Sequence, residues 1–322
     1  MITMLPVHDA LAPQGLQSHR IADLLWGYSY VCAIVFVLVT AALVLAITRR
    51  RTPGAMDRSE LPPGALRTRE RVVGAASTVT VITLIVLLVL SVATSRALAS
   101  LDTKNAITVE VTGHKWWWEF QYPASVAGMQ FTTAYEMHIP VGKPIQVKLA
   151  SADVIHSFWV PSLQGKRDAI PTKHGTLVLQ ADEPGRYEGQ CAEFCGTQHA
   201  NMRFVVVAES EADFKAWMAH SLSPAVTPDD PVKLQGQQVF QKSRCVACHT
   251  ISGTDAFATV GPNLTHVASR HAIAMGTLPN GPGHLAGWIV DPQSTKPGVV
   301  MPGTPLAPDD LNALITYLGS LK

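Results

Sequence analysis

Two long stretches of the chain contain no charged residue. They run over residues 24–48 and 72–95, and Val, Leu and Ile dominate both. Because a helix rises 1.5 Å per residue, about 20 apolar residues cross a hydrocarbon core of about 30 Å. Two buried helices of a soluble core, the alternative interpretation, would not need this length. The pattern therefore predicts a pair of membrane spans.

The segment between the two stretches is basic. Its seven arginines outnumber its three acidic residues, and loops of this kind stay on the cytoplasmic side. The N-terminal segment and everything after about residue 97 are therefore expected on the outer side of the membrane. Residues 1–20 lack the apolar region of a signal peptide, so either the first span acts as the signal anchor or a leader is absent from this chain.

A different pattern, that of short strands, covers residues 106–210. Stretches rich in β-branched and aromatic residues alternate there with Pro and Gly, which favours an antiparallel sandwich or barrel. The predicted strands are Ile107–Val111, Trp116–Tyr122, Gln130–Ile139, Ile145–Leu149, Thr176–Gln180 and Phe204–Ala208.

The pattern becomes helical after a stretch rich in Pro, Ser and Asp. Leu311, Leu314, Ile315 and Leu318 share one helix face, so a terminal helix is predicted from about residue 308. The chain is thus divided into an N-terminal segment with two spans (1–100), a β domain (101–220), a linker (221–231) and a helical domain (232–322).

Composition agrees with a folded membrane protein. Hydrophobic residues make up 47% of the chain and charged residues 15%, against about 25% charged in a typical soluble domain. This argues against disorder and against an ordinary soluble enzyme. The formal charge of +1 shows no footprint of nucleic-acid binding.

One cluster of residues has the character of a metal site. Cys191, Cys195, His199 and Met202 follow a C-x3-C-x3-H-x2-M spacing, and His156 adds an imidazole from the end of an earlier strand. Thiolate, imidazole and thioether together suit copper. A single blue copper site uses one Cys, whereas two thiolates can bridge two coppers and spread one electron over both. The cluster therefore indicates a dinuclear copper site.

Three other interpretations compete for the same residues. Cys191 and Cys195 could form a disulfide on the oxidising side of the membrane. A tetrahedral zinc site is a further alternative, although zinc has no use for a Met thioether. An isolated core histidine explains none of the clustering.

A second cluster matches covalent attachment of haem c. Cys245, Cys248 and His249 form a C-x-x-C-H motif, in which two thiols add to the haem vinyl groups and the His binds the iron. About fifty residues later Met301, in a Met-Pro turn, offers the second axial ligand; Met275 is its rival. A thioredoxin-like C-x-x-C would have βαβ flanks and no need of the His. The fifth cysteine, in the first span, is expected to be a small buried apolar residue.

These motifs resemble a known family. Residues 113–120, 154–161 and 191–202 are similar to the CuA domain of cytochrome c oxidase subunit II, and residues 232–322 resemble a class I cytochrome c. The resemblance implies a two-helix transmembrane hairpin, a cupredoxin-like Greek-key β domain and an all-α cytochrome c domain, as in caa-type members of the haem–copper oxidase superfamily.

The resemblance also implies roles for individual residues. Copper would be bound by the side chains of His156, Cys191, Cys195, His199 and Met202 and by the backbone carbonyl of Glu193. The Glu193 carboxylate would be free for magnesium at the interface with subunit I. The Pro262 carbonyl would hold the His249 ring.

Two features need separate comment. By the resemblance Trp116 is the point where electrons enter CuA, although the three consecutive Trp residues could also be membrane-interface anchors. In the family, a Glu, two further residues and then a Trp open the second span, and that Glu serves proton uptake. Here Gly74 stands where that Trp is usual, so the role is carried over neither to Glu70 nor to Arg71.

The implied function is subunit II of a cytochrome c oxidase in a bacterial plasma membrane, with both redox domains on the outer side. Electrons would come from a donor such as a cytochrome c or the bc complex and continue to subunit I, where oxygen reduction is coupled to proton pumping. Subunit III and membrane lipid are further expected partners, and nucleic acid is not. The alternatives are the CuA subunit of a nitric oxide reductase and a membrane-bound electron carrier without a catalytic partner.

Overall fold

A computed structural model describes residues 8–49, 63–99, 103–104, 106–123 and 129–322. Helices α1 (Leu16–Thr48) and α2 (Pro63–Ala99) are both long and apolar enough to cross a membrane. Both extend beyond the predicted spans, because backbone hydrogen bonds continue through charged positions that a count of uncharged residues excludes. Most of the basic segment between them lies outside the described residues.

Helices α1 and α2 form a unit of their own. Arg20 donates from its guanidinium to the Ala97 carbonyl at 2.9 Å, and the Tyr28 hydroxyl donates to the Leu87 carbonyl at 3.1 Å. These bonds join the start of one helix to the end of the other, as an antiparallel hairpin requires. Cys32 is exposed on α1, so the prediction that it is buried is wrong for the isolated chain.

The β domain is a sandwich of two five-stranded sheets with the orders β3-β2-β1-β5-β8 and β4-β10-β9-β6-β7. Its strands are β1 (Ile107–His114), β2 (Trp117–Tyr122), β3 (Phe131–Ala134), β4 (Glu136–Pro140), β5 (Ile145–Ser151), β6 (His156–Trp159), β7 (Arg167–Ala169), β8 (Gly175–Leu179), β9 (Gly185–Cys191) and β10 (Arg203–Glu209). The predicted sandwich is confirmed. However, β1 pairs with β5 and β4 with β10 in parallel, because these partners are joined by crossovers rather than hairpins.

The strand pattern was wrong in two respects. The predicted strand Gln130–Ile139 is broken at Tyr135, whose φ of 72° is incompatible with a continuous strand. Strands β6, β7 and β9 were missed, because they contain His, Ser, Gly, Gln and charged residues in place of a β-branched alternation. Two of these three strands carry candidate copper ligands.

Residues 211–322 are mainly helical, with two hairpins of two-residue strands. The elements are α3 (Glu211–Leu222), α4 (Pro231–Lys242), β11 (Thr250–Ile251), β12 (Ala256–Phe257), β13 (Ala272–Ile273), β14 (Leu278–Pro279), α5 (Pro282–Val290), α6 (Pro292–Thr295) and α7 (Pro308–Ser320). The predicted terminal helix is confirmed as α7. The sandwich and the helical domain belong to one compact unit.

Helices α4 and α7 cross with their backbones nearly in contact. A Cβ atom at Gly236 would lie 2.1 Å from the Ala313 carbonyl oxygen, so only glycine fits there. Phe240, Leu314 and Tyr317 are buried around this crossing. The crossing therefore sets one wall of the helical domain's core.

We expect Gly236→Ala to lower the free energy of unfolding of the helical domain by about 1–3 kcal/mol, the usual result of overpacking a core. The matched control is Gly319→Ala in α7, where an added Cβ meets no atom within 4 Å. It should leave stability unchanged or raise it slightly. Thermal unfolding followed by circular dichroism compares the two; equal midpoints would contradict the close crossing.

Candidate metal centre and haem cavity

The strand topology brings the residues of the predicted copper cluster together. β6 begins at His156 and pairs with β9, which ends at Cys191. β9 also pairs with β10, so the loop between them returns to its start, and the Cys191 N–H donates to the Met202 carbonyl at 3.0 Å. Cys195 and His199 lie on this loop. Gly113 of β1 makes room for the site, because a Cβ there would lie 2.7 Å from Cδ2 of His156.

Five potential ligand atoms, four from the β9–β10 segment and one from His156 of β6, lie close together. The two Sγ atoms are 3.8 Å apart; His156 Nδ1 lies 3.9 Å from Sγ of Cys191, and His199 Nδ1 lies 3.6 Å from Sγ of Cys195. Sδ of Met202 is 3.9 Å from Sγ of Cys195. His156 and the two thiols lie within 4.8 Å of one another, and His199 and Met202 lie beside Cys195. Thiols, imidazole nitrogens and a thioether form a donor set that fits copper.

Two further features bear on the ligand set. The Glu193 carbonyl oxygen lies 3.3 Å from Sγ of Cys191, while the Glu193 side chain is exposed. Both thiols are free, and their separation far exceeds the length of a disulfide, about 2.05 Å. The structure therefore does not contain the alternative disulfide.

A carboxylate orients one of the imidazoles. His156 Nε2 lies 2.8 Å from Oδ1 of Asp153, which leaves Nδ1 facing the thiols. Burial by itself lowers the pKa of His156, but its bonds to Cys191 and Asp153 outweigh burial and raise that pKa. The same carboxylate accepts the backbone N–H of Lys115 at 2.7 Å. Asp153 thus ties His156 to the turn that precedes Trp116.

The thiols are strongly coupled. Contact with Cys195 lowers the pKa of the Cys191 thiol, and the same contact together with burial raises the pKa of Cys195. One negative charge is therefore stable in this site, and a second needs a cation to replace the remaining proton. This is the electrostatic behaviour of a metal centre.

The C-x-x-C-H motif lines a cavity of about 340 Å³. Nδ1 of His249 lies 2.7 Å from the Pro262 carbonyl oxygen, as expected, which leaves Nε2 available. Burial lowers the pKa of His249 and favours the neutral imidazole that binds iron. Gly261 is required against the ring, because a Cβ there would lie 2.7 Å from Cε1 of His249. The cavity, its two thiols and its oriented imidazole fit a covalently attached haem.

Both candidate axial methionines line this cavity, together with Trp288. Met275 is buried in a cluster with Trp117, Tyr135 and Ala272, which joins the β domain to the helical domain. Met301 is half-buried and lies outside that cluster. The packing therefore gives Met275 a role in the domain contact and leaves Met301 as the freer thioether.

One indole touches both sites. Trp116 is 8% exposed, and its Nε1 donates to the Cys195 carbonyl at 3.0 Å. The same residue lines the haem cavity. The alternative of membrane-interface anchors is wrong for Trp117 and Trp118, since both are buried in the protein. Trp116 is thus the direct structural link between the two ligand sets.

Two family models match separate parts of the chain. The family model of the cytochrome c oxidase subunit II periplasmic domain matches residues 127–209, and the cytochrome c model matches residues 234–322. Cytochrome c oxidase subunit 2 of Alkalihalophilus pseudofirmus is 37% identical over 97% of this chain and 90% of its own length. The chain belongs to the cytochrome c oxidase subunit II family.

Other similar proteins cover parts of the chain. Cytochrome c oxidase subunit 2 of Bacillus sp. PS3 is 36% identical over 68% of this chain and 63% of its own length. The crystal structure of the periplasmic domain of subunit II of cytochrome oxidase from Bradyrhizobium japonicum is 31% identical, covers 36% of this chain and 92% of its own, and has a TM-score of 0.34. The two family models and the two long apolar helices show that the chain combines a transmembrane hairpin, a copper-binding cupredoxin-like domain and a haem-binding cytochrome c domain.

An ion cluster also joins the cupredoxin-like and cytochrome c domains of this subunit II. Oε1 of Glu136 in β4 lies 3.0 Å from an Arg186 guanidinium nitrogen and 2.8 Å from Nδ1 of His271, which belongs to the cytochrome c domain. Burial by itself raises the pKa of Glu136, but the His271 hydrogen bond and the Arg186 charge lower it to about 2. The charged carboxylate is thus strongly stabilised at the domain contact.

Sequence patterns missed several residues around these sites, namely Asp153, Glu136, Arg186, His271 and Lys296. Each interacts with a residue far away in the chain or in a loop, so no period or motif marks it. The one available signal was the position of Asp153, three residues before a predicted copper ligand.

We expect Glu136→Gln to destabilise the contact between the two domains. The folded pKa of about 2 lies below the ordinary value of 4.5, so the carboxylate contributes stability above pH 4.5 and loses it as the pH falls toward 2. The contribution at pH 7 is about 3 kcal/mol. Thermal unfolding at pH 7 and at pH 4 measures it: the difference from the native chain should shrink in acid.

The control for this variant is Glu110→Gln. Glu110 forms an exposed pair with Lys148 at 3.9 Å, so its loss should have little effect at either pH. Equal effects of the two variants at pH 7 would contradict the stabilising role of the buried cluster.

Proposed function

We propose that this chain is the electron-receiving subunit of a bacterial cytochrome c oxidase. It accepts electrons from a reduced donor such as a cytochrome c or the bc complex and passes them to the haem–copper site of subunit I. There oxygen reduction is coupled to proton pumping. The observation that carries the proposal is the contact of the buried Trp116 indole with both the cysteine loop and the haem cavity.

The geometry of each site supports the proposed ligand assignment. We assign a dinuclear CuA centre to the side chains of His156, Cys191, Cys195, His199 and Met202 with the backbone carbonyl of Glu193. We assign covalent haem c attachment to Cys245 and Cys248, with His249 and Met301 as axial ligands. When bound, these groups supply reversible one-electron oxidation and reduction.

Other residues of the chain hold the ligand side chains in place and exclude water from them. Asp153 fixes the imidazole of His156, and the Pro262 carbonyl fixes that of His249. Both thiols and Met202 are buried, so little water surrounds the copper ligands. Side chains held in this way change position little when the charge of the site changes, which favours fast electron transfer.

The exposed Glu193 side chain is available for an interface. Its carboxylate is of the type that binds magnesium, and we assign it to a magnesium ion at the contact with subunit I. The two helices are held in the plasma membrane among lipids, subunit I and subunit III, and the cupredoxin-like and cytochrome c domains face the periplasm. The basic segment between the helices supports this orientation.

Oxygen uptake by the complex that contains this chain tests the function. Given an artificial electron donor, the native complex should consume oxygen rapidly, and Cys191→Ser should abolish uptake because one thiol that would hold the copper is lost. The matched control is Cys32→Ser, an exposed cysteine of α1, which should retain native uptake. Nitric oxide consumption with little oxygen uptake would identify a nitric oxide reductase subunit, and no turnover in any complex would leave an electron carrier.

Electron transfer between the two domains should depend only weakly on ionic strength, because the contact is internal to one chain. We expect Trp116→Phe to slow this transfer by roughly tenfold, the effect of ~1.4 kcal/mol on a barrier, because the bond to the Cys195 carbonyl is lost. Flash-induced absorbance changes measure the rate.

The control is Trp217→Phe, an aromatic residue that packs on Tyr122 and His138 within the β domain. Its transfer rate should be native. A steep decrease of the native rate with salt, or equal rates in the two Trp variants, would contradict the fixed Trp116 contact.

A further inference from the structure

The cytochrome c domain inserts a buried lysine into the domain contact. Lys296 follows α6 and is 1% exposed. Its Nζ donates to the carbonyl oxygens of Asn201 at 2.8 Å, Trp116 at 3.2 Å and Ala274 at 3.4 Å. An ammonium group has three N–H donors, so each donor has a carbonyl acceptor. Two of these acceptors belong to the cupredoxin-like domain and one to the cytochrome c domain.

Such a position needs an explanation, because lysine is almost never fully buried. Taking an ammonium group out of water is costly unless it is hydrogen-bonded in return. Burial lowers the pKa of Lys296 to about 8. The three carbonyl dipoles therefore offset the loss of water, and they do so only while the two domains are in contact.

The two carbonyls on the cupredoxin-like side come from functional segments. Asn201 lies between the candidate copper ligands His199 and Met202, and Trp116 is the indole that contacts both sites. The residues that follow Lys296 continue the contact. Nε2 of Gln198 donates to the Pro297 carbonyl at 2.9 Å.

Gly298 completes this contact. An added Cβ at Gly298 would lie 3.6 Å from the indole ring of Trp116, which is van der Waals distance. Residues 296–298, which we call the docking segment, thus contact both Trp116 and the loop of residues 192–202 between β9 and β10, which we call the copper loop.

We propose that Lys296 is a positioning residue that locks the cytochrome c domain onto the copper loop and Trp116. The two domains then exchange electrons at one fixed separation instead of by repeated docking. This inference rests on the proposed relay function and names the residue that sets its geometry. A purely structural lysine would serve the cytochrome c domain alone, whereas two of its three acceptors lie in the other domain.

The test compares Lys296→Met with the native full chain, loaded with its metal and haem, in its complex. Met is an unbranched side chain one atom shorter than that of Lys, and it removes the charge and all three donors. Hydrogen–deuterium exchange of residues 199–202 and 296–299 measures how firmly the two domains are held together. Flash-induced absorbance changes measure the rate of electron transfer between them. The control is Lys242→Met, an exposed lysine at the end of α4.

In Lys296→Met we expect both segments to exchange faster and the transfer between domains to slow at least about tenfold, because each hydrogen bond of a charged group contributes about that factor. The transfer should also become dependent on ionic strength. The copper and haem absorption spectra should remain native, and Lys242→Met should behave like the native chain. Lys296→Gln, which keeps two donors but loses charge and reach, should change exchange and rate in the same direction by less.

Native exchange at residues 199–202 with a transfer rate within twofold of the native chain would overturn the proposal. Loss of the haem spectrum in both Lys296 variants would also overturn it, because the lysine would then serve the fold of one domain. A native chain that binds no copper or haem would contradict the relay function instead. The exchange measurement needs no electron transfer, so it separates the two failures.

Discussion

The two buried thiols impose the constraint on which the rest of this subunit depends. Cys191 and Cys195 lie 3.8 Å apart and almost out of reach of water, so they cannot both carry a negative charge without a cation between them. The backbone must therefore hold the other ligands close to both thiols. Strands β6, β9 and β10 do this, because their pairing returns the loop to its start and sets His156 and Met202 beside the thiols.

The contact between the two domains and the two candidate cofactor sites share residues. Trp116 bonds to the copper loop and lines the haem cavity, and Lys296 bonds to carbonyls on both sides of the contact. The apolar cluster around Trp117 and Met275 and the buried carboxylate of Glu136 add to the same surface. A change that loosens the contact therefore also changes the separation of the two sites. The stability of the contact and the spacing of the two sites are physically linked in this arrangement.

The predicted strands differ from the observed ones mainly where candidate ligand residues replace residues of high strand propensity. β6 and β9 were missed because their residues are ligands or their close neighbours, chosen for chemistry and not for a period of two. The strand around Tyr135 is broken because that residue turns toward Gly276 of the cytochrome c domain, where a Cβ would meet its ring at 2.9 Å. The tryptophan run that suggested a membrane surface is instead buried, with Trp118 in the core of the sandwich and Trp117 in the apolar cluster that joins the two domains.

The sequence by itself determined the elements whose cause is local. Uninterrupted apolar length predicted both transmembrane helices, and the spacing of Cys, His and Met residues predicted two cofactor sites and most of their ligands. Tertiary structure decided which distant groups meet. The Glu136 cluster, the burial of Trp116 and the three acceptors of Lys296 join segments far apart in the chain, and Asp153 links His156 to the distant Lys115. The strength of these contacts depends on burial at surfaces that form only when the chain folds. No local sequence pattern can therefore indicate them.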